Sequence, residues 1–210
     1  MSLVSVISHP PSLVPLSVDP AVQFTLRIAL SLLFAWAGGH KVRDVAGFRS
    51  ALASYELLPA GWIGPCTVGL IAMEISVAIG LWLPGCAVIV GLAAAGLFAL
   101  YALAIVINLV RGRRDIDCGC AGVAGDQPLS GGLVSRNAVL VIVALVITLP
   151  AVPRPLTWLD AITISAGVSV LALLYAAVDG LLANAPKIAA LAGDRVARRA
   201  TRLPHEGRHA

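Results

Sequence analysis

The feature that most constrains this 210-residue chain is a series of long apolar runs separated by short polar connections. Hydrophobic residues make up 59% of the sequence and charged residues only 12%, and the mean hydropathy is +0.91. A soluble domain is about 25% charged. Backbone polar groups inside a bilayer must be satisfied within the protein, so such runs fold as helices. The sequence therefore predicts an all-α, polytopic membrane helix bundle with no room for a second sizeable domain.

Five runs come close to the ~20 apolar residues that a helix needs to cross a bilayer. They cover residues 21–39, 62–83, 86–110, 134–149 and 156–182, and the fourth is the shortest. The predicted organisation has four parts. These are an irregular amino-terminal tail at 1–19, a four-helix transmembrane domain at 20–150, a fifth transmembrane helix at 151–185 and a basic cytoplasmic tail at 186–210.

Two local signals describe the connections between these runs. Pro84 and Gly85 interrupt what would otherwise be one continuous apolar run, which predicts a tight hairpin of the second and third helices. Between the first two runs, an apolar stripe at helical spacing predicts a short helix that lies in the membrane interface. The stripe consists of Val45, Phe48, Leu52, Tyr55 and Leu58.

Lysine and arginine are distributed unequally around the five predicted spans. Thirteen of the fifteen fall on one side, whereas Arg154 lies on the other side and Arg27 lies within the first run. The thirteen are Lys41, Arg43, Arg49, Arg111, Arg113, Arg114, Arg136, Lys187, Arg195, Arg198, Arg199, Arg202 and Arg208. By the positive-inside rule this side is cytoplasmic, which predicts a multi-pass protein of the cytoplasmic membrane with its N-terminus outside and its C-terminus inside.

The same distribution indicates which partners the net charge of +4 favours. Basic residues that flank membrane spans attract anionic lipid, so membrane lipid is the expected partner of this surface. The chain has no basic surface interleaved with aromatic residues, and nucleic acid is therefore not an expected partner.

The loop between the third and fourth runs carries the motif Cys118-Gly119-Cys120. Two sulfur atoms at this spacing reach disulfide distance only if the residue between them bends, and glycine permits that bend. A strained or exposed disulfide is easily reduced, which favours thiol exchange over a purely structural role. The sequence therefore predicts that Cys118 and Cys120 exchange as a thiol pair and that Gly119 shapes the loop.

Three arginines, Arg113, Arg114 and Arg136, are candidates for stabilising a thiolate in this loop, although Asp115 and Asp117 oppose that effect. Cys66 is a candidate resolving thiol because it is predicted on the same side of the membrane as the motif. A structural disulfide, inert thiols and metal binding stay open as alternatives. Metal is the least favoured of these because no nearby histidine completes a ligand set, and no metal site is assigned.

Ionisable residues within a span are costly and usually functional. Glu74 lies near the middle of the second run. It is a candidate proton carrier or polar contact for a quinone, and the alternative is a protonated glutamate hydrogen-bonded between helices. Lys41 follows the first run and is expected to be an ordinary charged anchor at the interface. The alternative is that it approaches the Cys118–Cys120 loop, where a cation would help to hold a thiolate.

An ordered set of motifs now points to a family. Its segments are Lys41-Val42-Arg43-Asp44, Gly47-Phe48, Tyr55-Glu56-Leu57-Leu58-Pro59, Glu74, Asn108-Leu109-Val110-Arg111-Gly112-Arg113, Asp117-Cys118-Gly119-Cys120, Leu129-Ser130 and Arg136-Asn137. Over about residues 21–150 the chain resembles the MauE family of methylamine utilisation membrane proteins, which is related to DoxX-like proteins. The resemblance implies a DoxX-like four-helix core, to which this chain adds a fifth transmembrane helix.

The resemblance also implies a function: maturation, processing or transport of the exported, disulfide-rich beta (light) subunit of methylamine dehydrogenase, beside a thioredoxin-like, MauD-like partner. Two alternatives stay open. One is a non-catalytic membrane scaffold or carrier for an exported subunit, and the other is a DoxX-like, quinone-linked oxidoreductase subunit. Quinone is the candidate cofactor of the second alternative, and no other cofactor is expected. The sequence leaves open whether the protein is an enzyme.

Overall fold

The computed structural model describes residues 17–116, 118–119 and 127–202 of the chain. This part is helical and contains no β-strand, so the predicted all-α membrane bundle is confirmed. The helices are α1 (Pro20–Arg43), α2 (Val45–Ser54), α3 (Ala60–Gly80), α4 (Ala87–Val110), α5 (Gly131–Val146) and α6 (Trp158–Arg202).

Four helices of the described part are long and apolar enough to cross a membrane. They are α1, α3, α4 and the first 28 residues of α6, Trp158–Ala185. The fourth predicted span, at residues 134–149, corresponds to α5, which has only 16 residues. At ~1.5 Å per residue α5 is about 24 Å long, shorter than the ~30 Å hydrocarbon core.

Contacts at both termini show that α5 nevertheless runs from one end of the bundle to the other. Leu133, in its first turn, packs in one cluster with Ile105 near the end of α4. The side-chain amide of Gln23, in the first turn of α1, donates to the carbonyls of Ile147 and Leu149 at 3.1 and 3.0 Å. Close by, Val18 and Ala151 form a parallel bridge. Helices α1, α4 and α6 therefore run in one direction, and α3 and α5 return.

The bundle thus has two ends, which we name after a residue at each. The Asp19 end contains the starts of α1, α4 and α6 and the ends of α3 and α5. At this end Arg154 binds Asp19 at 2.8 Å and Asp160 at 2.7 Å, which ties the start of α1 to the start of α6. The hydrogen bond from Arg154 is the main reason that the pKa of the Asp19 carboxyl lies below its usual value.

The Cys118 end contains the ends of α1 and α4, the starts of α3 and α5, and all of α2. The predicted interfacial helix is present here as α2, although it ends at Ser54, and Tyr55 turns inward and is buried. Seven of the lysines and arginines named above lie at this end within residues 17–116 and 127–185, whereas Arg27 and Arg154 lie toward the Asp19 end. The sequence predicts more positive charge on one side of the membrane than on the other. In the structure this difference corresponds to the difference between the Cys118 end and the Asp19 end of the bundle.

Two apolar clusters fill the interior. The larger lies toward the Asp19 end and includes Phe34 and Phe98, whose ring centroids are 4.8 Å apart. Helices α4 and α5 approach closely in this region. A Cβ atom at Gly91 would lie 3.0 Å from the carbonyl oxygen of Ala144, so only glycine fits there without displacement. The smaller cluster lies at the Cys118 end and includes Cys118 itself.

Candidate functional site

Cys118 lies inside the bundle end and is only 6% exposed. Its neighbours in the smaller apolar cluster include Tyr55, Ile105, Leu129 and Leu133. The motif lies among polar residues of the sequence, yet the structure buries Cys118. Cys118 is buried because apolar residues from α4, α5 and the α2–α3 connection together offer its side chain a site that excludes water.

Hydrogen bonds hold the Cys118 backbone on both sides. Its N–H donates to the carbonyl of Gln127 at 2.9 Å, and its carbonyl accepts a hydrogen bond from the Tyr55 hydroxyl at 3.0 Å. Nearby, the N–H of Leu129 donates to the carbonyl of Arg114 at 3.1 Å. These bonds close the base of the loop and fix where the chain enters it.

Gly119 has a φ of +63°, in the left-handed region that favours glycine. A Cβ atom at this position would also lie 3.1 Å from the Cβ of Ala51 on α2. Both the backbone conformation and the space therefore require a glycine next to Cys118. Cys120 lies outside the described residues, so the thiol pair itself stays a prediction.

The other two cysteines lie at opposite ends of the bundle. Cys66, in the second turn of α3, is half-buried at the same end as Cys118, as its proposed role as a resolving thiol requires. Cys86 precedes α4 at the Asp19 end and is also half-buried. The structure therefore does not bring Cys86 to the candidate site.

The predicted thiolate-stabilising arginines have different surroundings. Arg113 forms an ion pair with Glu56 at 2.8 Å, in the turn that follows α2. Arg114 is exposed, and its backbone carbonyl takes part in closing the loop. Arg136 is buried and forms an ion pair with Asp179 of α6. Two of the three guanidinium groups thus bind carboxylates, and an effect on the thiols stays a prediction.

Glu74 is buried, with 1% of its side chain exposed, and forms an ion pair with Lys41 at 2.5 Å. The same carboxylate oxygen, Oε1, accepts a hydrogen bond from the Tyr101 hydroxyl at 2.7 Å. The Lys41 ammonium also lies 5.0 Å from the ring centroid of Phe48 and 5.2 Å from that of Tyr101. The expectation that Lys41 is an exposed interfacial anchor is therefore wrong, because the carboxylate and two rings hold it inside the bundle.

Sequence reasoning missed Asp179 and Gln127. Asp179 is completely buried, and its Oδ1 accepts hydrogen bonds from Arg136 and from the side-chain amide of Gln127. The sequence did contain an indication that Asp179 is functional. An aspartate within a span of mean hydropathy 2.1 is as exceptional as the glutamate at position 74. We refer to Asp179, Arg136 and Gln127 as the Asp179 cluster.

An apolar groove of about 650 Å³ lies between α1, α5 and α6 and could hold a hydrophobic ligand. Leu33, Trp36 and Val139 contribute to its apolar wall, and Arg136 and Tyr175 lie at its polar part. Glu74 does not line this groove. Among the described residues no three histidine, cysteine or acidic side chains come together as metal ligands.

Comparison with known proteins identifies the family. The family model described as "Methylamine utilisation protein MauE" matches residues 19–150. The chain is 41% identical over 143 residues to the methylamine utilization protein MauE of Paracoccus denitrificans, an alignment that covers 67% of this chain and 77% of the relative. It is 37% identical over 180 residues to the protein of the same name from Paracoccus versutus, and this alignment covers 83% of this chain and 96% of the relative.

A third relative, methylamine utilization protein MauE of Methylophilus methylotrophus, is 33% identical over 167 residues, which cover 77% of this chain and 86% of the relative. No solved structure matches significantly. The family model covers more than half of the chain, and the relatives are similar over most of their own length. The chain belongs to the MauE family of methylamine utilisation membrane proteins.

Proposed function

We propose that this protein supports thiol-disulfide maturation of an exported protein in methylamine utilisation, and that Cys118 and Cys120 are the exchanging pair. The observation that carries this proposal is the way Cys118 is held. Two backbone hydrogen bonds fix it beside a left-handed glycine at the end of a membrane bundle. An ordinary connecting loop between helices needs neither of these features.

The proposed chemistry is thiol-disulfide exchange, which conserves electrons between the two proteins. A thiolate of one protein attacks a disulfide sulfur of the other, forms a mixed disulfide and releases one thiolate. The second thiol of the attacking protein then resolves the mixed disulfide. One disulfide is broken and one is formed, and no further oxidant enters this step.

The family resemblance supports the choice of partners. The client would be the disulfide-rich beta subunit of methylamine dehydrogenase, and a thioredoxin-like, MauD-like protein would exchange with the same cysteines. The relatives are named for methylamine utilisation, which supports this pathway as the setting. The membrane-embedded bundle would hold the thiol pair where an exported protein passes.

Replacing each cysteine tests the redox proposal. Cys118→Ser and Cys120→Ser should each abolish client maturation while the amount of protein in the membrane stays unchanged, because the loss of one sulfur prevents a disulfide but removes little packing. Cys86→Ser, at the opposite end of the bundle, is the matched control and should retain maturation. Full complementation by either Cys118→Ser or Cys120→Ser would exclude the redox role.

The charge difference between the two ends supports a cytoplasmic position for the Cys118 end. The thiols then reach an exported client through a conformational change that opens them to the opposite face, or reducing equivalents pass between compartments through this protein. A membrane-impermeant maleimide applied to intact cells should label Cys118 poorly, and labelling should appear after permeabilisation and reduction. Rapid labelling in intact cells would reverse the proposed orientation.

The burial of Cys118 favours a second candidate, a non-catalytic scaffold that holds an exported subunit in the membrane. A thiol with 6% exposure is poorly accessible to a partner, and the Lys41–Glu74 and Arg136–Asp179 pairs fix the helices around it. A scaffold would tolerate Cys118→Ser and would still bind the client. Co-purification of the client with a Cys118→Ser variant that supports maturation would favour this candidate.

The quinone-linked alternative depends on Glu74. Its second carboxylate oxygen, Oε2, is buried without a hydrogen-bond partner among the described residues. This atom would accept a hydrogen bond from a quinol hydroxyl, or take up a proton. The groove between α1, α5 and α6 is separate from it, which weakens the case for a large isoprenoid ligand at Glu74.

A further inference from the structure

Asp179 is unusual within α6 because, among residues 158–185, all of which the structure describes, it is the only one that is buried. The span Trp158–Ala185 has a mean hydropathy of 2.1, yet Asp179 is completely buried. A carboxylate at this depth is costly unless partners satisfy it. The partners of Asp179 therefore indicate why the position is acidic.

Asp179 binds the side-chain amide of Gln127 through two oxygen atoms. The Nε2 of Gln127 donates to the Oδ1 of Asp179 at 2.8 Å and to its backbone carbonyl at 3.2 Å. Gln127 itself is 3% exposed, so water does not compete for these bonds. Arg136 donates to the same Oδ1 and neutralises its charge. The ion pair alone would join α5 to α6, and Gln127 extends the connection to the loop.

Gln127 in turn holds the backbone of Cys118. The carbonyl of Gln127 accepts the Cys118 N–H at 2.9 Å. A continuous path of hydrogen bonds thus leads from α6 through one glutamine to the residue before Gly119. Asp179 lies beyond residues 19–150, the region that the family model matches.

We propose that Asp179 is a positioning residue for the thiol site, because it fixes Gln127 and Gln127 fixes the backbone of Cys118. This inference rests on the proposed function for its purpose, but the local connection can be measured without a client. Release of Gln127 should let the base of the loop open more often. Cys118 would then react faster with a thiol reagent.

The test uses a protein in which Cys118 is the only thiol, made by Cys66→Ser, Cys86→Ser and Cys120→Ser. Gln127→Leu removes the amide and leaves the Arg136–Asp179 pair intact. In detergent micelles this variant should raise the maleimide labelling rate of Cys118 roughly fivefold to tenfold, the change expected for the loss of one net hydrogen bond. Asp179→Asn should also raise the labelling rate of Cys118. Asp179→Glu should retain slow labelling because it keeps the carboxylate.

A matched protein with Cys66 as its only thiol separates a local effect from general loosening. Gln127→Leu should leave the labelling rate of Cys66 unchanged and should lower the melting temperature by no more than about 2–4 °C, the shift that ~1 kcal/mol produces. Unchanged labelling of Cys118 in a folded Gln127→Leu variant would overturn the positioning role. Asp179→Asn removes the carboxylate that pairs with Arg136, and this loss could prevent folding. If the Asp179→Asn variant does not fold, the Gln127→Leu variant alone tests the positioning role.

The two proposals fail in different ways. Where Cys118→Ser supports maturation but Gln127→Leu accelerates labelling of Cys118, the proposed function falls and the positioning role stands. Where Cys118→Ser abolishes maturation but labelling is insensitive to Gln127→Leu, only the positioning role falls.

Discussion

Replacement of Glu74 by glutamine should destabilise the bundle strongly, because it leaves the Lys41 ammonium buried without an anion. Lys41 and Glu74 expose 3% and 1% of their side chains. Removing one partner of a buried ion pair costs about 3–5 kcal/mol. The lower end applies here because Lys41 lies in the last turn of α1, from which its side chain can extend toward water. Glutamine can still accept the hydrogen bond from Tyr101.

A loss of about 3 kcal/mol in the free energy of unfolding should shift the melting temperature by a measurable amount. For a chain of this size, ~1 kcal/mol corresponds to roughly 2–4 °C, so a loss of about 3 kcal/mol should lower the melting temperature by about 6–12 °C. Thermal unfolding of the purified protein in detergent micelles, followed by circular dichroism, measures this shift. The matched control is Glu56→Gln, which breaks the exposed pair with Arg113 and should cost less than about 1 kcal/mol.

A double variant separates the ion pair from other effects of the substitution. Lys41→Met combined with Glu74→Gln removes both charges, and replacement of a buried pair by uncharged residues is often neutral. The double variant should therefore be more stable than Glu74→Gln alone. A melting temperature of Glu74→Gln within about 2 °C of the unmodified protein would refute the structural role of the pair. A loss of turnover in that fully folded variant would instead support proton transfer or quinone contact by Glu74.

Three further substitutions test particular contacts. Gly119→Ala should cost about 1–2 kcal/mol, because alanine disfavours the left-handed backbone, and it should change the labelling rate of Cys118. Gly91→Ala should reduce the free energy of unfolding by about 1–3 kcal/mol, because the added carbon meets a backbone oxygen of α5. Its control is Gly96→Ala, which should be neutral or slightly stabilising because the space around Gly96 is open. Arg154→Gln should reduce stability fully above about pH 4, and the difference from the unmodified protein should shrink as the pH falls further. Arg154 lowers the pKa of both Asp19 and Asp160, so each pair loses its benefit only as its carboxylate is protonated below the usual range. A pH series of thermal unfolding curves for the last variant would contradict this reasoning if the two proteins differed most in acid.

The helices could be predicted from sequence because long apolar runs leave the backbone few alternatives in a bilayer. The ends of the helices were less certain. The last predicted span ends at residue 182, whereas α6 continues to Arg202, since a helix can leave the apolar layer without changing its backbone. Similarly, the apolar stripe predicted α2 but included Tyr55, which instead turns into the bundle.

The polar pairs could not be predicted in the same way. Lys41 and Glu74 are 33 positions apart, and Arg136 and Asp179 are 43 apart. Hydropathy identifies residues within a helix but does not say which faces of different helices meet. Burial of Cys118 was missed for a related reason, since its cover comes from residues distant in sequence such as Tyr55 and Leu133. Only the three-dimensional packing brings these residues together.

Trapping of a mixed disulfide tests most directly whether Cys118 and Cys120 exchange disulfides. In cells that carry Cys118→Ser or Cys120→Ser, the remaining thiol cannot be resolved by its neighbour, so at least one variant should accumulate a covalent complex with a client or a thioredoxin-like partner. A non-reducing gel should show a heavier species that disappears with reductant and is absent when both cysteines are replaced. The absence of any such species in both single variants, together with normal client maturation in the double variant, would contradict exchange by this pair.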